Sequence, residues 1–598
     1  MANSSSFSPK YPNLIAIYEH SVATFADRPL FGVKQGGEWR WMTYREFGKQ
    51  TDELRGGLAA LGVGEDDVVA MIANNRPEWA IAAYATYGLA ARYAPMYESQ
   101  QAKEWKYILE DSGAKVLFVA NEEILRQVKA FGSEVSTLEH VVLLGESPEA
   151  ELTFDAVREK GRQAPAKLRH PDGEHIAGFI YTSGTTGNPK GVLLSHANLA
   201  SNVSAMHEVF PMSPEDRSLS FLPWAHSFGQ TVELHGLFSM GASMGIAESV
   251  PKIVENLGEV RPTLLFSVPR IFNKIHDGVL KKVEEDGGLK KTLFFATLET
   301  AKKKKALAEQ HQRSGLLDLK HRILDKLVAS KIRARFGGRL KYAFSGGAAI
   351  SKEVAEFIDA LGITVYEGYG LTETSPIATA NWPGARKIGS VGKTIPGVRV
   401  EIDRAVTEDP KHGEIVVFGH NVMKGYHRLP EADAEVFVEG GGFRTGDMGY
   451  LDEDGFLYIT GRIKEQFKLE NGKYVVPSPL EEQLQLSPYV TQAFVDGTNR
   501  PFNVALIVPD AAALTKWAAE NGISGDLGAL CEHERVHALM REQIDRYSGE
   551  FKQFEKIMRF AVIPEEFTVE NGLLTPKMSV KRRKVMERYG DRIAALYA

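Results

Sequence analysis

The apolar positions of the chain change period along its length, and that change outlines the fold. Residues 44–61, 77–90 and 102–111 place them every three or four positions, which predicts helices. Residues 68–72 and 116–119 are short continuous apolar runs of strand type. The alternation resumes further on, with strand-like 221–222, 243–246 and 263–266 each followed by a helical segment. Strands separated by helices predict an α/β fold in which a large domain of several subdomains is built on mainly parallel sheets. From Val398 the pattern shortens to strands at 398–402 and 413–418 separated by turns, a small β-rich subdomain completing the large domain. A boundary is expected near 461–464. Beyond it, strand-like 494–496, 504–508 and 559–563 and a helix at 511–520 predict a smaller, mobile α+β domain, so the expected division is 1–463 and 464–598. No internal repeat interrupts this order.

Between 293 and 336 the pattern is one of long, charged helices, with Lys302 to Lys305 in a run and Ile323, Leu324, Leu327 and Val328 at helical spacing. A solvated amphipathic hairpin is the preferred reading. The alternative is a peripheral membrane contact through Lys302–Arg335, with the lysine run, Lys331, Arg333 and Arg335 facing anionic headgroups.

The composition narrows the picture. With 598 residues, 43% of them hydrophobic, the chain can bury large cores without staples. Its 71 basic and 77 acidic residues give a net charge of -6, which offers no reason to expect nucleic acid as a partner. A single cysteine, Cys531, excludes an intrachain disulfide and suits a reducing compartment. The cytoplasm is therefore the expected location, with or without membrane association: the start of the chain is polar, and the longest apolar stretch, near 79–91, is too short to span a bilayer.

The candidate chemistry begins at residues 181–192, Tyr-Thr-Ser-Gly-Thr-Thr-Gly-Asn-Pro-Lys-Gly-Val. The stretch reads as a glycine-rich loop between a strand at 176–180 and a helix at 196–206. Gly184 and Gly187 let backbone amides approach an anion, the hydroxyls of Thr182, Ser183, Thr185 and Thr186 donate, and Lys190 adds a compact positive charge. The ligand implied is a nucleoside triphosphate. A Walker A loop is disfavoured, because Pro189 stands where its second glycine belongs and Gly191 follows Lys190 in place of a hydroxyl.

This loop resembles the phosphate-loop motif of the AMP-forming adenylate synthetase superfamily, which includes acyl-CoA synthetases, luciferases and peptide-synthetase adenylation domains. Later motifs follow in the family's order, from about Trp41 to the C-terminal lysines. In Tyr-Glu-Gly-Tyr-Gly-Leu-Thr-Glu-Thr, residues 366–374, the resemblance implies an adenine and magnesium site. Glu367, Gly368, Tyr369 and Gly370 would lie by the base, Thr372 by the α-phosphate, and Glu373 with Thr185 on Mg²⁺. Gly346, Gly347 and Ala348 would let adenine or an acyl chain lie against backbone. Asp447, in what reads as a Gly-flanked turn, would accept the ribose hydroxyls unless it is an ordinary turn cap. Arg462 would contact ribose or phosphate, and Lys464 would be a hinge. Lys581 matches the adenylation lysine although Val580 replaces the usual glycine, and Lys577 and Lys584 are close competitors. Gly472 and Lys473 would border the path of CoA.

In Phe-Leu-Pro-Trp-Ala-His-Ser-Phe-Gly, residues 221–229, the absence of an early aspartate disfavours an amino-acid substrate. Trp224 and His226 resemble the gate and acyl-pocket wall of fatty acyl-CoA synthetases, with His226 as a third catalytic candidate beside Lys581 and Glu373 or else a hydrogen-bonded core residue. The resemblance implies an ATP-dependent, AMP-forming ligase acting on a medium- to long-chain fatty acid, with Mg²⁺ as cofactor and ATP and CoA as co-substrates, working as a monomer or homodimer. Two alternatives remain: an adenylate former for another apolar acid or a carrier-protein acceptor, and a catalytically silent nucleotide- or lipid-binding homologue.

Overall fold

The computed structural model describes residues 7–182, 188–348, 350–406, 410–549, 551–575 and 579–598. The chain forms two compact units, one of residues 1–401, 416–445 and 452–457, the other of 402–415, 446–451 and 458–598.

The first unit holds two large sheets. One orders its strands Gly425–Tyr426, Lys190–Ser195, Ile176–Thr182, Arg92–Met96, Val68–Ile72, Ala114–Val119, His140–Leu143 and Leu152–Thr153. From Ile176–Thr182 onward every pairing is parallel. Val68–Ile72 is buried along its whole length, which is why it reads as an unbroken apolar run rather than an alternating one. The second sheet runs Lys393–Thr394, Ile377–Ala380, Thr364–Gly370, Tyr342–Ser345, Leu264–Ser267, Arg217–Ser220, Ser243–Ile246, Pro29–Gln35 and Glu38–Thr43. Its central strands, from Thr364–Gly370 to Pro29–Gln35, are parallel. The expected α/β class with mainly parallel sheets therefore holds. The strand expected at 221–222 is displaced, however: Arg217–Ser220 forms it, and the chain has left the sheet by Phe221.

Helices start where the sequence satisfies their free amides. Tyr44–Ala60 opens on a capping box between Thr43 and Glu46. Pro77–Tyr87 opens on proline and is buried over nearly its whole length.

In the second unit, Val490–Asp496, Asn503–Pro509 and Ile557–Val562 form a three-stranded sheet. Alternate residues face opposite cores. Val495, Ala505 and Ile507 pack with Leu480, Leu514, Val536 and Met540 of the helices on one side. Phe494, Val504, Leu506 and Val508 pack with Val585 and Ile593 of helix Arg582–Ala595 on the other. Cys531 is fully buried in the first of these cores, and burial pushes its thiol up to about 11. Among the described residues, no helix is long and apolar enough to cross a membrane.

Candidate active site

The segment entering the phosphate loop is Ile176–Thr182, as expected, but the segment leaving it is a strand. Lys190–Ser195 pairs antiparallel with it, Thr182 opposite Lys190 and Tyr181 opposite Gly191, and the helix begins only at His196, capped by Ser195. Ile176–Thr182 and Lys190–Ser195 thus form a β-hairpin. The physical reason is legible afterwards: Val192, Leu193 and Leu194 are an apolar run that pairs with a buried strand before any helical period sets in. A hairpin offers no helix N-terminus to a phosphate, so loop amides, hydroxyls and Lys190 would have to bind it. Ser183, Gly184, Thr185, Thr186 and Gly187 lie outside the described residues. The hairpin register brings Thr182 and Lys190 side by side at the mouth of that loop.

A third strand completes this edge and carries a residue that sequence reasoning missed. Gly425–Tyr426 pairs with Lys190–Ser195, and His427 donates its amide to the Gly191 carbonyl at 2.7 Å. One residue before the strand, Lys424 donates to the Leu193 carbonyl at 3.0 Å, and Met423 donates to the carbonyl of Glu373 at 2.8 Å. Tyr426 then joins the two motifs by its side chain: its hydroxyl donates to Glu373 Oε1 at 3.0 Å, and its ring lies 4.8 Å from Lys190 Nζ. Burial and the neighbouring Glu373 carboxylate push the phenol well above its ordinary value, so it stays a donor. Gly425 is required beside it. Its φ is +138°, and a Cβ there would stand 2.7 Å from the Asp433 carboxylate that accepts the Tyr426 amide. The available signal was Gly-Tyr within a short apolar segment, too brief to mark a strand.

Further motifs meet at a cleft in the second sheet of this unit. It lies at the carboxyl ends of Tyr342–Ser345 and Thr364–Gly370, the usual place for a ligand in a parallel sheet. His226, Gly346, Gly347, Glu367, Gly368, Tyr369 and Gly370 are all among its lining residues. A Cβ on Gly346 would come within 3.3 Å of the Phe228 ring, and Ser227 and Thr372 hydroxyls stand 3.4 Å apart, so residues 221–229, 345–348 and 366–374 are packed together. Ala348 is exposed beyond Gly347. Glu367 is buried, and desolvation pushes its carboxyl up to about 7.

His226 follows a turn in which its amide donates to the Pro223 carbonyl. Its Nδ1 accepts from the Phe228 amide at 3.1 Å, which sets the neutral ring with its proton on Nε2. A π-helix, Phe228–His235, then turns the chain back into the core. There Glu233 accepts from Ser218 and Ser220, each at 2.8 Å, tying the π-helix to the strand that precedes the motif. Trp224 departs from expectation. It is fully buried against Phe31 and Trp79, with ring centroids at 5.4 and 5.8 Å, and does not line the cleft. An indole between two aromatic rings gains more from core contact than from a pocket wall.

In the second unit, Asp447 does not sit in a turn. It lies within strand Gly442–Leu451, where Gly446 takes φ +72° and donates its amide to Glu414 at 3.1 Å. Asp447 is buried, and Arg462 Nε stands 2.9 Å from its Oδ1, so these two candidates are brought together. Lys464 lies in the short turn Ile463–Glu465. Gly472, at φ +86°, makes the tight turn between Phe467–Lys468 and Tyr474–Val475, and Lys473 Nζ lies 4.7 Å from the Phe554 ring.

Lys581 immediately precedes helix Arg582–Ala595. Its amide donates to the Leu573 carbonyl at 2.8 Å, and its carbonyl accepts from Lys584 and Val585 at 2.8 and 3.1 Å. Next to it, Arg582 is held to Glu481 at 2.7 Å. Lys584 is ion-paired to Glu587 at 2.6 Å along its own helix, whereas Lys577 lies outside the described residues.

A hairpin with a lysine at its mouth and a cleft lined by a glycine-rich strand end are the parts of a nucleotide-using enzyme. Residues 18–427 match the family model of the AMP-binding enzymes and residues 464–598 that of the AMP-binding enzyme C-terminal domain, and the chain belongs to this family. It is 33% identical over 594 residues to the long-chain-fatty-acid–CoA ligase FadD15 of Mycobacterium bovis, covering 97% of this chain and 96% of that protein. It is 31% identical to the peroxisomal long chain acyl-CoA synthetase 7 of Arabidopsis thaliana, over 99% of this chain and 87% of that one. Among solved structures, the adenylation domain of a carboxylate reductase from Mycobacterium chelonae shares the fold with a TM-score of 0.80 at 23% identity, over 99% of this chain and 92% of that chain.

Proposed function

We propose that the chain is an ATP-dependent, AMP-forming ligase that activates a medium- to long-chain fatty acid to acyl-adenylate and then to acyl-CoA. The observation that carries this reading is the convergence of residues 221–229, 345–348 and 366–374 on one cleft. The relatives named as long-chain ligases support the choice of acid.

A fatty carboxyl group, with a pKa of about 4 to 5, is already ionised at neutral pH and needs no general base. The obstacle is repulsion between two anions, and the residues assigned here are those that relieve it. Lys190 and Thr182 bind the departing phosphates, Lys581 meets the charge that builds at the α-phosphate, and Asp447 with Arg462 holds the ribose. Gly346 and Tyr369 bound the adenine, and His226 borders the acyl group. Glu373 offers a hard oxygen to Mg²⁺. Its Oε1 accepts from Tyr426, and its carboxylate is a hard oxygen donor of the kind such an ion takes. When bound, Mg²⁺ supplies neutralising charge to the triphosphate. The second step needs Lys581 withdrawn, so residues 464–598 act as a mobile domain pivoting at Lys464, with Gly472 and Lys473 beside the incoming thiol.

The test is product analysis. Purified protein with palmitate, MgATP and CoA is expected to yield AMP, pyrophosphate and palmitoyl-CoA, with fatty-acid-dependent exchange of pyrophosphate into ATP in the absence of CoA. Formation of ADP would overturn the proposal. Adenylate that passes only to a carrier protein would favour the second reading.

Tyr426 gives a narrower prediction. Tyr426→Phe keeps the ring beneath Lys190 and removes the hydrogen bond to Glu373. A bond of this charge-assisted kind is worth about tenfold in the KM for MgATP, with a smaller change in kcat. Initial rates at graded MgATP check this; an unaltered KM would show that the hydroxyl orients nothing the nucleotide uses.

A further inference from the structure

The helical insertion contains two basic stretches that behave differently. In helix Gly288–Glu309 the lysine run is engaged within the molecule: Lys302 with Glu356 at 3.7 Å, Lys303 with Glu299 at 2.6 Å, Lys304 with Asp318 at 3.2 Å and Lys305 with Asp359 at 2.7 Å. Lys302 and Lys305 tie the helix to helix Lys352–Ala360, Lys304 ties the two arms of the hairpin together, and Lys303 pairs along its own helix. The following helical stretch, Gly315–Leu324 continued by Asp325–Ala329 and Ser330–Ala334, is built otherwise. Leu316, Leu319, Ile323 and Leu327 recur at i, i+3, i+7 and i+11, one stripe of the helix surface. All are exposed, from 84% at Leu316 to 47% at Leu327, while Leu324 and Ala329 face inward and are buried.

The border of this stripe is cationic. Arg313, Lys320, Arg322, Lys326, Lys331 and Arg335 are exposed. The acidic residues of the same stretch are both neutralised, Asp318 by Lys304 and Asp325 by the two terminal nitrogens of Arg333 at 2.7 and 2.8 Å. An apolar centre with a positive rim is the make-up of a helix lying in the plane of a lipid interface. Charge selects the occupant: a second copy would bring the same positive rim against this one, whereas anionic headgroups complement it.

We propose that this face docks on the surface of an anionic phospholipid bilayer, with Leu316, Leu319, Ile323 and Leu327 set among the headgroups. The docking stands on the surface alone; its benefit, access to fatty acid dissolved in the lipid, rests on the function proposed above.

The full chain is to be co-sedimented with vesicles of phosphatidylcholine alone and of phosphatidylcholine with phosphatidylglycerol, without nucleotide. Binding is expected only to the anionic vesicles and falls as salt is raised. Leu319→Ser with Ile323→Ser, and separately Lys320→Glu with Lys326→Glu, should each weaken it by about tenfold or more. Lys302→Ala with Lys303→Ala should hold it within about threefold, since those lysines are already paired with Glu356 and Glu299. The substituted side chains are exposed, and an unshifted thermal melt confirms the fold. Equal partition to both vesicles, no partition at all, or variants that bind like the parent would overturn the proposal. So would a dimer in sedimentation velocity that Leu319→Ser with Ile323→Ser abolishes, which would assign the face to a second copy. An inactive protein that still binds anionic vesicles would refute the proposed activity and leave the docking standing; an active one that ignores them would do the reverse.

Discussion

With Lys581→Ala, acyl-adenylate formation from fatty acid and ATP is expected to slow by about 10²- to 10³-fold, the usual cost of removing one fixed charge from a developing anion. Thioester formation from supplied acyl-adenylate and CoA should continue near its original rate. The backbone of Lys581 is locked on both sides, by Leu573 and by the first turn of Arg582–Ala595, and Arg582 is anchored to Glu481. The ammonium is thus presented from a fixed point, and alanine there removes charge without loosening the loop. Lys584, a turn further on, is ion-paired to Glu587 along its own helix. Rapid-quench single turnovers, run separately for the two half-reactions, check this. Equal loss in both, or in neither, would remove Lys581 from its role.

Glu373→Gln is the second large effect. Glutamine keeps an acceptor for the Tyr426 hydroxyl and loses the negative charge, so it separates geometry from electrostatics. If Glu373 is the carboxylate that steadies Mg²⁺ beside the triphosphate, the adenylation rate should fall by roughly 10²-fold at fixed Mg²⁺. The Mg²⁺ concentration giving half-maximal rate should rise by about an order of magnitude. A magnesium titration of fatty-acid-dependent pyrophosphate exchange reads both quantities. A variant with the parent's magnesium curve would show that the carboxylate serves the fold alone.

Much of this was legible in the residues. Long periodic helices such as Tyr44–Ala60 and unbroken buried strands such as Val68–Ile72 announce themselves, because their pattern is set by local burial. Motifs rich in glycine and hydroxyls announced the cleft for the same reason: few other roles suit such a composition. What failed was partner-dependent. Lys190–Ser195 became a strand because Ile176–Thr182 was there to pair with it, and Asp447 lies in a strand although its Gly-flanked context reads as a turn. Trp224 was drawn into an aromatic core whose other members, Phe31 and Trp79, are distant in sequence. Tyr426 was missed because its significance consists entirely in contacts to Lys190 and Glu373. The stretch Lys302–Arg335, expected as a possible membrane contact, holds both the lysine run, which is paired within the molecule, and the exposed stripe of the next helix, of which Ile323 and Leu327 were legible at helical spacing while Leu324 faces inward.

The buried state of Cys531 has a practical corollary. Closed off from solvent and poorly ionised, this thiol will be slow to meet maleimides or other alkylating dyes. A cysteine introduced on the outside of either unit would therefore take up label selectively in the otherwise unaltered chain. A donor and acceptor pair placed one on each side of residue 464 could then follow turnover by energy transfer, molecule by molecule, with no background thiol to remove first.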